Sequence, residues 1–209
     1  MTVTQLITTA FMLARSRYPE LHKTWISSLL FPSVQRTGDL DMMLRAMEDD
    51  FSAAPEGADE ADQPADLLSA HYQLMLSELW VCAVYEIFRL LTESKRKLAP
   101  ESDAITALAH DLRLLRIPLQ KHEIATEWKL SEPLLMQRFP PNNNGTDNNY
   151  YSLSDGRRAH IMPTGISSRG SVMWHVIDVE SKISYWLERR AISERIVALW
   201  RSVAPAQNS

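Results

Sequence analysis

What this 209-residue chain has little of narrows its reading first. It holds one cysteine, Cys82, set among Trp80, Val81, Ala83 and Val84. One thiol makes no intramolecular disulfide, so a reducing cytoplasm is the expected compartment, and its apolar neighbours predict a buried thiol. No apolar run approaches the ~20 residues that span a bilayer. The N-terminus, Met1 to Gln5, lacks the basic start and small-residue cleavage site of a secretory signal. No membrane association is expected. His22, His71, His110, His122, His160 and His175 do not pair at ligand spacing. Zinc-type Cys/His clusters, His-Glu-x-x-His, a dinucleotide-binding glycine fingerprint and a Gly-x-Ser-x-Gly elbow are all missing. Neither a metal nor a cofactor is expected.

The net charge of −4 argues against a dedicated high-affinity nucleic-acid binder. The distribution softens that exclusion. Glu48, Asp49, Asp50, Glu56, Asp59, Glu60 and Asp62 crowd into one stretch without a base, and the remainder of the chain is net basic. Residues 52–65 are small, acidic and proline-containing, too poor in apolar surface to offset the entropy of ordering, and read as a mobile loop.

Around that loop the apolar residues recur at helical spacing. Helices are expected near 3–17, 39–51 (with Asp39 as N-cap after Gly38), 66–97, 103–116 and 118–129, with a terminal helix near 181–203. A further amphipathic piece, Leu21 to Phe31, should stop at Pro32. The longest, Asp66 to Lys97, has a broad apolar stripe that includes Leu68, Tyr72, Met75, Leu79, Trp80, Val84 and Phe88; from Leu79 to Leu91 only Glu86 and Arg89 are charged, so other helices should surround that portion. Lys95, Arg96 and Lys97 would close it at the negative end of its dipole. After Trp128 the character changes. Leu130 to Pro141 and Asn142 to Asn149 read as loops, Tyr150 to Leu153 as an extended segment able to form a hairpin with Ala159 to Met162, and Met162 to Gly170 as a loop able to hold an anion at Arg169. Ser171 to Asp178 is the clearest strand. The expected fold class is mainly α: a helical bundle over 1–130 and, over 131–209, a loop-rich segment with short strands and a terminal helix packing on it. The β element would be small and confined to the C-terminal third.

One stretch concentrates chemistry. Ala109 to Ala125 places His110, Asp111, Arg113, Arg116, Lys121, His122 and Glu123 within an otherwise apolar helix. Arg116 and His122 are six apart, ~120° around a continuous helix, so they would not aim at one point. Pro118 lacks an N–H and pushes Ile117 towards extended geometry. The expectation is therefore a break, with a second helix starting at Pro118 and Arg116 turned back across His122. The competing reading is a kinked helix with Arg116 paired to Glu123. Glu86, in the most apolar surroundings of any acid, needs a partner, and Arg89, Arg113 or Arg116 can supply one.

Arg116, five residues and then His122, in an all-helical context, resembles the signature of the HEPN superfamily, which includes bacterial toxin and phage-defence ribonucleases. The resemblance covers residues 66–130. It departs where that family usually has a polar residue after the arginine, since Ile117 and Pro118 stand there. It implies a metal-independent endoribonuclease acting as a homodimer on RNA, often beside a restraining protein partner such as an antitoxin. His122 would be the general acid/base and Arg116 the stabiliser of phosphate charge, with Glu86, Arg113 and Glu123 in support. Imidazole and guanidinium suit those tasks. The other reading is a non-catalytic helical subunit, adaptor or regulator in a bacterial protein complex. Whether Arg116 and His122 share an open cleft separates the two.

Overall fold

The computed structural model describes residues 26–53, 63–93, 102–136, 149–152 and 160–203. In chain order these form helix α1 (Ile26–Ala53), α2 (Gln63–Glu93), α3 (Ser102–Lys121), a 3-10 turn (Glu127–Lys129), strands β1 (Leu134–Met136), β2 (Asn149–Tyr151), β3 (Thr164–Ile166), β4 (Val172–Asp178) and β5 (Ile183–Glu188), then α4 (Arg189–Val203). Two antiparallel sheets, β1-β2 and β3-β4-β5, stand beside four helices. A mainly α bundle is thus corrected to a mixed α/β architecture.

The correction has a local cause. Ile183, Trp186 and Leu187 fit a helical stripe, yet Ile183-Ser-Tyr-Trp-Leu-Glu188 also alternates at the period of two, with aromatic residues that favour strands. Pairing decides between them: Trp174 faces Leu187 and His175 faces Trp186 across the β4–β5 ladder. The terminal helix begins only at Arg189, directly after the strand. Leu134 to Met136, read as loop, pairs with Asn149 to Tyr151. The partner of that extended segment is therefore β1, rather than the stretch up to Met162.

Helix boundaries shift as well. α1 runs through Pro32 and Gly38 without a break. It takes in Glu48, Asp49 and Asp50, as the helix expected over 39–51 does. Residues 52, 53 and 63–65 are helical too. The middle of the expected loop, 54–62, lies outside the described residues, as do the helix expected over 3–17 and the Lys95-Arg96-Lys97 cluster.

The core lies between α2, α3 and one face of the larger sheet. Trp80, Val81, Val84 and Phe88 of α2 meet Leu108, Leu112 and Leu115 of α3, with Val172, Trp174 and Val176 from β4. The period of two sends Ile177 to the opposite face, where with Val179 it packs on Ile124 and Leu134 in a smaller cluster. His175, on that face too, is buried and stacks on Trp186 at 5.2 Å between ring centres.

A buried ionic knot ties α1 to the C-terminal unit. Arg189, 0% exposed, donates from Nε and Nη2 to the two Glu48 oxygens at 2.7 Å each, and from Nη1 to Asp41. Its guanidinium also lies 5.2 Å from the Trp80 ring centre. Ser171 Oγ donates to Glu48 at 2.7 Å and accepts the Arg190 N–H. Gly170 sits against the backbone of α1 at φ +70°, where an added Cβ would lie 2.5 Å from the Glu48 carbonyl oxygen. Glycine is required there for both reasons.

Candidate functional site between α2 and α3

α3 does not break at Pro118. The helix continues to Lys121, and His122 ends it with a left-handed φ of 55°, its N–H donating to the Pro118 carbonyl at 2.9 Å. This is the single-bond αL stop of a helix C-terminus. Proline costs a backbone hydrogen bond here, but the burial of Leu112, Leu114, Leu115 and Pro118 itself holds the turn. The expected second helix from Pro118 to 129 is absent; residues after His122 are a loop and the short 3-10 turn.

Along the α2–α3 interface the polar residues form a seam in antiparallel order. Arg116 meets Glu86 at 3.7 Å and lies 5.4 Å from the Tyr85 ring centre. Gln120 Nε2 donates to Cys82 Sγ at 3.2 Å. His122, exposed, acts electrostatically on Glu78. Burial raises the Glu78 carboxyl above the usual range, and His122 partly offsets that. Burial likewise raises the half-buried Cys82 thiol, against which the Gln120 bond and Arg116 act. Such a thiol is a poor nucleophile.

The seam sets Arg116 and His122 against different acids of α2. Arg116 is directed at Glu86 and His122 lies by Glu78, and those acids are eight positions apart, ~12 Å along α2. Glu86 is half exposed rather than buried, and it accepts from Arg89 Nε at 2.7 Å besides pairing with Arg116. Arg113 reaches the other way, to Glu180 at 3.7 Å. Glu123 is exposed beyond the helix end. Arg116 pairs with Glu86, in place of the Arg116–Glu123 pair of the kinked-helix reading. The anion seat expected at Arg169 is filled by the chain's own carboxylates, Glu188 and Glu194.

Other chemistry-bearing groups serve packing between elements. His110 Nε2 lies 3.0 Å from Asp178, whose other oxygen accepts the backbone N–H groups of Glu180 and Ser181. Asp111 accepts from Tyr185 and Arg195 at 2.9 and 2.6 Å. Among the described residues, no group of three or more His, Cys, Asp or Glu side chains could hold a metal. The cavity between Trp80, Phe88, Asp41 and Ser193 measures about 30 Å³, room for a water but not a metabolite.

The feature that periodicity obscured lies on the opposite side of α2 from the core. Leu68, Tyr72, Met75 and Leu79 are 54%, 46%, 41% and 54% exposed. The broad stripe is therefore two stripes, one buried and one open; enclosure was expected from Leu79 to Leu91, and Leu79 at its start is open. The signal was present in the sequence: twelve apolar positions were too many for one face of a helix. No protein-family model, curated protein or solved structure matches the chain. No described helix is long and apolar enough to cross a membrane.

Proposed function

We propose that this chain is a non-catalytic module, a subunit, adaptor or regulator, that works by presenting α2 to an amphipathic helix of a protein partner. The observation that carries this reading is the open stripe Leu68, Tyr72, Met75, Leu79. Large apolar side chains aligned at helical spacing mark an interaction surface, where singly scattered ones would not. A helix laid along such a stripe is a recurring mode of protein recognition. The test is a photo-crosslinking residue placed at Met75, with a control at exposed Lys182. A single defined adduct at position 75, lost on Leu79→Glu, supports the module; equal labelling at both positions rejects it.

A metal-independent ribonuclease, dimeric and restrained by an antitoxin-like partner, is the second reading. It is favoured by one observation: exposed His122 acts electrostatically on the acid Glu78, and imidazole and carboxylate are groups suited to general acid/base work. It requires Arg116 to leave Glu86 and Tyr85. Cleavage of labelled RNA without added metal, abolished by His122→Ala, would favour this reading over the module. A cytoplasmic setting suits both.

A further inference from the structure

Resting on the module reading, we infer that the helix received by the α2 stripe is α2 of a second copy, packed antiparallel about a twofold axis. Leu68, Tyr72, Met75 and Leu79 are separated by four, three and four residues. That interval pattern reads the same in both directions. A twofold axis between Tyr72 and Met75 sets Leu68 of one copy on Leu79 of the other, and Tyr72 on Met75. The stripe is thus self-complementary, as an isologous interface requires.

Alternating steps of three and four are also the seam of a two-stranded helical pair. In that frame Gln73, Leu74 and Ser77 fall on the far side, where Gln73 and Ser77 are buried and Leu74 packs on the core. The next seam positions are Cys82 and Glu86, already engaged by Gln120 and Arg116. The contact therefore ends after Leu79, a length of ~17 Å. Donor and acceptor are complementary at its border. His71 and Glu78 occupy the same edge of the stripe, and in an antiparallel pair like edges meet, so His71 of each copy faces Glu78 of the other. Met75 at the centre adapts its shape to the Tyr72 ring.

Sedimentation velocity on the full chain over a concentration series tests this. A dimer is expected, and Leu79→Glu should raise its Kd at least ~100-fold, because each substitution enters a twofold interface twice. Far-UV circular dichroism should stay unchanged, since the side chain is exposed. In a Cys82→Ser background, Leu68→Cys and Leu79→Cys chains should form a disulfide under mild oxidation only when mixed. Disulfides within each single variant would mean parallel helices and overturn the inference. A monomer at every concentration also overturns it, whether the stripe is then covered by residues 1–25 or by another protein. If that monomer still gives a defined adduct at position 75, the module reading survives and self-association falls. If it gives none, both fall.

Discussion

Two clusters built from the same kinds of side chain behave differently in this molecule. Around Arg189, a guanidinium with no exposed surface meets two carboxylates, one of them with both oxygens at 2.7 Å. Around Arg116, a partly exposed guanidinium meets a half-exposed Glu86 at 3.7 Å. Burial decides what each is worth. A desolvated pair carries a large penalty that only close geometry offsets, so removing one member strands a charge. A solvated pair contributes ~0–1 kcal/mol. The comparison teaches that the charges concentrated in one stretch of sequence are the less consequential ones, while the consequential trio is scattered across 41, 48 and 189.

The comparison can be broken by substitution. Arg189→Ala should destabilise the fold by ~3–5 kcal/mol, read from urea denaturation, because buried Glu48 keeps only the distant Arg190 at 3.9 Å and Asp41 only Arg45. If it costs no more than Arg116→Ala, the contrast fails. Acid provides the next test. Burial, with His160 nearby, pushes the His175 imidazole down to about 4 from the ordinary 6.5, so it is neutral in the folded protein. The unfolded chain takes up that proton first as pH falls. Stability should therefore be at full value above pH 6.5 and decline between 6.5 and about 4. His175→Phe should flatten that part of a denaturation midpoint plotted against pH.

Gly170→Ala should cost more than ~1 kcal/mol by thermal melting, because the left-handed backbone and the Glu48 carbonyl both oppose a Cβ. Smallest of all, Arg116→Ala should cost no more than ~1 kcal/mol, and raising salt should shrink the difference. A loss several times larger would give the α2–α3 seam a weight its geometry does not support.

Legibility in the sequence followed the range of the deciding interaction. Val172 to Asp178 was readable because β-branched and aromatic residues follow Gly170, a local cue. Ile183 to Glu188 was not, because its side chains satisfy two periods and only pairing with β4 selects one. Pro118 and Pro32 carried a local steric warning that tertiary packing overrode. Arg116 and His122 were legible as chemistry but not as geometry, since their separation depends on whether α3 breaks. The Glu48–Arg189 bond joins residues 141 apart, and no spacing rule relates such positions. The outward face of α2 was hidden by its own abundance of apolar residues.

That bond also fixes an order of events during synthesis. Asp41 and Glu48 leave the ribosome long before Arg189. Until residue 189 clears the exit tunnel, α1 has two acids destined for the interior and no full counter-charge for them. A nascent chain can pair α1 with α2, but sealing Glu48 against the turn at Gly170 would strand its carboxylate. Closure of this half of the molecule therefore waits for the beginning of α4, and a ribosome halted before Arg189 would hold a chain whose first helix is paired with α2 but not yet sealed against the turn at Gly170.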